Sequence, residues 1–152
     1  MKIAIGSDHA GFELKTRLRR HLEERSIKVE DFGTTSGESV DYPDYGLAVA
    51  RAVAGGACDL GVLVCSTGVG LAITANKVKG IRAALAYNVD VAAQSRSHLA
   101  ANVLVFGAKF IGPETAIAAL DKWLETPFEG GRHERRVKKI TDYEAAARGQ
   151  TP

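Results

Sequence analysis

Short apolar runs alternate with charged segments of helical spacing along most of the chain. Residues 2–7, apolar at Ile3, Ala4 and Ile5, predict a strand. Leu14, Leu18 and Leu22 then recur at i, i+4 and i+8 among charges, the stripe of an amphipathic helix. Residues 28–32 predict a second short strand, followed by the polar loop GTTSGESVDYPD and an Ala- and Val-rich helical segment over 45–54. A strand over 60–64, a helix over 69–78, a strand over 82–86, a helix over 89–97 and a strand over 103–106 continue the alternation. Gly112-Pro113 opens a helix that runs to residue 125, and a helical tail is expected from residue 132, frayed beyond residue 142.

Strands that alternate with helices, and that are apolar without a polar face, belong to a parallel sheet covered on both sides. The expectation is an α/β protein: a single three-layer α/β/α Rossmann-like domain over residues 1–152, with about five strands. Ligands of such sheets bind outside the carboxyl ends of the strands. That rule selects the loops Ser7-Asp8-His9, Cys65 to Gly70 and Gly107 to Lys109, and the long polar loop before the second helix is the most prominent excursion.

Composition narrows the function classes. A chain of 152 residues with 45% hydrophobic content can bury one core. No run approaches the roughly 18–20 apolar residues of a membrane span. MKIAIGSDH meets a charge too early for a secretory signal, so a cytoplasmic protein without a membrane role is expected. Cys58 and Cys65 make no disulfide framework, and no His or Cys cluster has zinc-ligand spacing; reduced thiols and no metal are expected. The formal charge is only +2, but Arg132, Arg135, Arg136, Lys138 and Lys139 crowd one stretch, which favours a local anion site over a nucleic-acid surface.

The stretch VCSTGVG places a thiol, two hydroxyls and two glycines where a strand hands over to a helix. Gly68 and Gly70 let backbone N–H groups approach a ligand, and the helix start adds partial positive charge. The loop is either an anion cradle or a tight structural turn. It is not a dinucleotide fingerprint, because Ile73 stands where the third glycine would fall, and it lacks the Gly-Lys-Ser/Thr of a P-loop. Cys65 is either a thiolate activated by the helix N-terminus or a small buried hydrophobe; Cys58 has no such setting and reads as structural. Asp8-His9 offers hydroxyl recognition and anion contact, with helix capping by Asp8 as the alternative. His98, between a helix and the last strand, is either a general acid/base or a surface histidine, and His21 reads as solvated. Arg132 and Arg136, four apart, would turn two guanidinium forks toward one phosphate; a solvated charged tail is the alternative.

Taken in order, GSDHAGFELK, SVDYPDYG, CSTGVGLAITANKVKGIRAAL, NVLVFGAKFIG and TPFEGGRHERRV resemble the type B ribose-5-phosphate isomerases and their allose- and galactose-6-phosphate relatives. The resemblance spans nearly the whole chain and implies a phosphorylated aldose substrate, ring opening, and proton transfer between C1 and C2 through an enediolate, without metal or other cofactor. It implies Cys65 as the base and Ser66, Thr67, Gly68, Val69 and Gly70 as the loop that holds the enediolate oxygens, with Thr67 also moving or orienting a hydroxyl proton. It implies His98 in ring opening, Asp8 and Tyr42 on sugar hydroxyls, and His9, Arg132 and Arg136 on phosphate. A homodimer or dimer of dimers with shared sites is implied as well. Ser66, Leu99 and Lys109 stand where the family commonly has Gly, Asn and Arg. Lys109 keeps a cation without the bidentate fork. Leu99 cannot hydrogen-bond, which costs about 1–3 kcal/mol if a substrate group is left buried against it. A hexose 6-phosphate is therefore the alternative substrate, and a non-catalytic sugar-phosphate binder the alternative function.

Overall fold

The computed structural model describes residues 1–147. The elements are β1 (Lys2–Ser7), α1 (Phe12–Glu24), β2 (Lys28–Asp31), α2 (Tyr42–Ala54), β3 (Leu60–Cys65), α3 (Val69–Asn76), β4 (Ala83–Leu85), α4 (Val89–Leu99), β5 (Val103–Gly107), α5 (Pro113–Glu125) and α6 (Arg132–Ala147). The sheet has the order β2-β1-β3-β5-β4, and every pairing is parallel. Strand order reverses between β1 and β3, which opens a crevice at their carboxyl ends.

Side-chain alternation divides the core. Ile3, Ile5, Val62, Val64, Leu104 and Phe106 point to one face and pack with α1 and α5 through Leu18, Leu22, Leu120 and Trp123. Ala4, Leu63, Cys65, Val103 and Val105 point to the other face, against Val49 and Ala50 of α2 and Leu71 of α3. β3 is buried at every position, which is why its sequence carries no polar alternation.

Several boundaries differ from expectation. α2 begins at Tyr42, because Pro43 in the first turn needs no N–H partner there. α3 stops at Asn76 and β4 is only Ala83–Leu85; the Asn76 side chain bonds both the N–H and the carbonyl of Ala83, closing the turn between them. α4 continues to Leu99, so His98 sits in its last turn and not after it. His21 is not a solvated residue: its Nε2 lies 2.8 Å from an Asp121 carboxylate that Arg25 also engages, tying α1 to α5. The tail is one helix as far as Ala147, and the remainder of the expected tail lies outside the described residues.

Chain direction then decides what is near what. α4 and α5 return from the carboxyl edge of the sheet to its amino edge, so the end of α4 and the start of α6 lie beside the strand beginnings. Hydrogen bonds mark this edge: Gly61 N–H donates to the Asn102 carbonyl at 2.9 Å, and Glu129 N–H donates to the Ser97 carbonyl at 3.0 Å. The Arg82 guanidinium also donates to the Leu99 and Ala100 carbonyls that close α4. Among the described residues no helix is long and apolar enough to cross a membrane.

Candidate active site

Cys65 ends β3, directly opposite Gly107 at the end of β5. Its Sγ, on a residue only 5% exposed, accepts the Gly68 N–H at 3.1 Å. A donor aimed at sulfur stabilises negative charge there. Gly68 holds φ +81°, and a Cβ at that position would stand 2.3 Å from Leu85, so the turn that returns its N–H to the thiol requires glycine. Thr67 Oγ1 accepts the Val69 N–H at 3.3 Å. The amides of Ser66, Thr67 and Gly70 make no hydrogen bond among the described residues. The last of these belongs to the first turn of α3, where N–H groups have no intrahelical acceptor.

The neighbouring strand end braces this loop. Ala108 N–H donates to the Cys65 carbonyl at 2.8 Å and Lys109 N–H to the Ser66 carbonyl at 3.0 Å. Gly107 lies so close that a Cβ there would be 2.3 Å from the Thr67 carbonyl oxygen. Tyr42, 42% exposed at the start of α2, lays its ring across Gly70, where an added Cβ would meet it at 2.8 Å.

Asp8 is not the cap of α1, whose N-cap is Gly11 without a side-chain cap bond; its Oδ1 instead accepts the Gly11 N–H at 3.0 Å and closes the turn before the helix, while Oδ2 has no partner among the described residues. His9 Nδ1 accepts the Val40 N–H at 3.2 Å, which leaves the proton of a neutral ring on Nε2 and makes that atom a donor. His9 and Lys109 line one cleft of about 590 Å³, which Arg17 and Glu13 also enter. Arg17 was not legible in the sequence, where it is one of several cations on α1. Cys58 is buried, and burial pushes its thiol up, as befits a structural residue.

The remaining candidates gather at the amino edge. The rings of His98 and His133 stack at 4.1 Å with planes 5° apart. Glu129 Oε2 lies 3.5 Å from His133 Nε2 and 4.0 Å from His98 Nε2, and Arg132 Nε lies 3.4 Å from His133 Nε2. Burial, then His98, Arg132 and Arg136, hold the His133 ring below the usual histidine range against the opposing pull of Glu129. Leu99, 45% exposed, lines a groove of about 610 Å³ with Arg82, Ile140 and Tyr143. His98, Glu129 and His133 thus meet although their sequence spacing gives no sign of it, and their donor atoms lie within 4.8 Å of one another. Their types would suit a divalent ion. Parallel rings, however, cannot both aim an in-plane lone pair at one ion, and an Arg132 N–H already faces His133 Nε2.

The expected site residues therefore form two sets in one chain. Asp8, His9, Tyr42, Cys65 to Gly70 and Lys109 meet at the carboxyl edge; His98, Leu99, Arg132 and Arg136 do not join them. Between the edges runs β5, whose five residues span about 13 Å at roughly 3.3 Å per residue.

A doubly covered parallel sheet, with a thiol and unpaired amides at the switch point and cations in the adjoining cleft, has the layout of the α/β enzymes that bind small anions. The sequence profile of the Ribose/Galactose Isomerase family matches residues 3–140, and the chain belongs to that family. It is 50% identical over 143 residues to ribose-5-phosphate isomerase B of Escherichia coli strain K12, covering 94% of this chain and 96% of that protein. Ribose-5-phosphate isomerase B of Clostridium thermocellum superposes with a TM-score of 0.95 at 50% identity, over 97% of this chain and 99% of the other. The enzyme of Mycoplasma genitalium, solved with bound ribulose-5-phosphate, superposes with a TM-score of 0.92 at 42% identity, over 95% and 96% of the two chains.

Proposed function

We propose that this protein interconverts ribose 5-phosphate and ribulose 5-phosphate, with Cys65 as the base. The observation that carries this is the Cys65 loop: a thiol facing the Gly68 N–H at 3.1 Å, beside the unpaired amides of Ser66, Thr67 and Gly70. Cys65 thiolate removes the proton from C2 of the open aldose, and the loop amides take up the charge that develops on the enediolate oxygens. Thr67 relays the hydroxyl proton between O1 and O2, and return of the carbon-bound proton to C1 completes the ketose. Asp8 and Tyr42 hold sugar hydroxyls; His9 and Lys109 meet the phosphate, with the Lys109 ammonium acting as a point charge. Base and oxyanion donors all come from the chain, so no metal or other cofactor is called on.

The site is completed by a second copy. His98 and Leu99, with Arg132 and Arg136, reach a Cys65 loop only if two chains pack edge against edge, as a homodimer or a dimer of dimers. There His98 opens the sugar ring and the two arginines clasp the phosphate. A cytoplasmic location, where thiols stay reduced, suits a cysteine base.

Turnover of ribose 5-phosphate by the purified protein with a chelator present, and its loss in Cys65→Ala with binding retained, is the expected result. Full activity in the variant removes cysteine from the base role; sugar-phosphate binding without turnover of any aldose by the native protein makes it a binder. Leu99 and Lys109 favour a hexose 6-phosphate as the competing substrate, and the ratio of kcat/KM values across a sugar-phosphate panel decides between them.

A further inference from the structure

His133 has no part in the reaction described above, yet its setting is unusual. It is the one buried side chain of α6, 5% exposed, where an aliphatic residue would anchor the helix without the cost of desolvating ring nitrogens. Its ring lies flat on His98 at 4.1 Å, and Glu129 Oε2 faces the Nε2 atoms of both rings. His98 itself is partly exposed, in the last turn of α4, and the ring torsion of such a side chain is soft. The stack restrains the plane of that ring, and the Glu129 carboxylate lies beside its Nε2 edge.

We propose that His133, with Glu129, positions His98 for the ring-opening proton transfer and contributes nothing to proton transfer at carbon. The inference rests on His98 being the ring-opening group of the proposed isomerase. Two stacked imidazoles four ångströms apart resist carrying two charges, and burial together with Arg132 and Arg136 disfavours a proton on His133. His98 is the more exposed ring of the stack and so the one placed to hand a proton to the ring oxygen of a bound aldose as the C1–O bond breaks, while the anomeric hydroxyl releases its proton to water as the carbonyl forms. Glu129, open to solvent with Oε2 4.0 Å from His98 Nε2, places a negative charge beside that edge of the ring at more than hydrogen-bond distance.

The two halves of the reaction can be read separately. Ribulose 5-phosphate is acyclic, because its C5 oxygen is esterified, so exchange of its C1 hydrogen with solvent deuterium needs the Cys65 step and no ring opening. Conversion of ribose 5-phosphate needs both. His133→Ala is expected to lower kcat for ribose 5-phosphate about tenfold or more while C1 exchange stays within about twofold of the native protein. His133→Phe, which restores a flat face without nitrogens, is expected to recover part of the loss. Parallel loss of both rates, or loss of neither, overturns the proposal. Should His133→Ala not fold, Glu129→Gln at its exposed position carries the same test and must show the same split. Failure of the native protein to turn over ribose 5-phosphate, or exchange that survives in Cys65→Ala, strikes at the isomerase assignment instead.

Discussion

If each active site draws on two chains, two separately dead variants must rescue one another. Cys65→Ala removes the base and His98→Ala the ring-opening group, and each homodimer then lacks one group at both of its sites. In a mixed dimer one site inherits both lesions and the other inherits neither. Random reassortment of equal amounts makes half of the dimers mixed, so the mixture regains about a quarter of native activity, and a doubly tagged, purified heterodimer about half. The structural basis is the run of β5, which sets the amino-edge cluster about 13 Å along the sheet from Cys65, far beyond hydrogen-bond reach. Ribose 5-phosphate turnover, followed after co-expression or brief denaturation and reassembly, reads the result. A heterodimer verified by native mass and still inactive would mean that one chain builds the whole site, and the topological reasoning would fall.

Other perturbations test the frame around the site. Gly107→Ala forces a Cβ to within 2.3 Å of the Thr67 carbonyl oxygen, a backbone atom that cannot rotate away; a loss of about 1–3 kcal/mol is expected in urea titration, against within about 0.5 kcal/mol for Gly37→Ala, which meets nothing. Lys15→Met removes a buried ammonium that bonds both oxygens of Asp31 and, at 2.7 Å, the Thr34 carbonyl. Stability should fall by about 3 kcal/mol, and KM for the sugar phosphate should rise as the loop that supports His9 loosens. Arg17→Ala should raise that KM several-fold with kcat kept, since Arg17 lines the cleft of His9 and Lys109; an unchanged KM would place the phosphate elsewhere. His133 titrates below its unfolded value, so between the two the unfolded chain binds the extra proton and stability falls as the pH drops through and below the ordinary histidine range. Thermal melts from pH 7.5 to 5.5 should show a smaller acid loss in His133→Phe than in the native protein.

Periodicity was enough to reveal the alternation of strands and helices, because the burial of a strand on one or both faces is written in its own few residues. The uniform apolar run of residues 60–64 marked β3 as a buried strand, and the rule that ligands sit at carboxyl ends led to Asp8, His9, Cys65 and Lys109. The same local logic misplaced His98 outside α4 and set His21 in solvent, since neither Leu99 as a helix end nor Asp121 as a partner is visible within a few residues. Tertiary structure alone decided the order β3-β5-β4, which short strand sequences cannot encode one by one. It alone parted His98 from Cys65, because a helix must travel back along the strands it follows. It alone stacked His133 on His98: the two are joined through α5 and the Glu129 turn, so their meeting depends on the packing of three helices and not on any spacing along the chain.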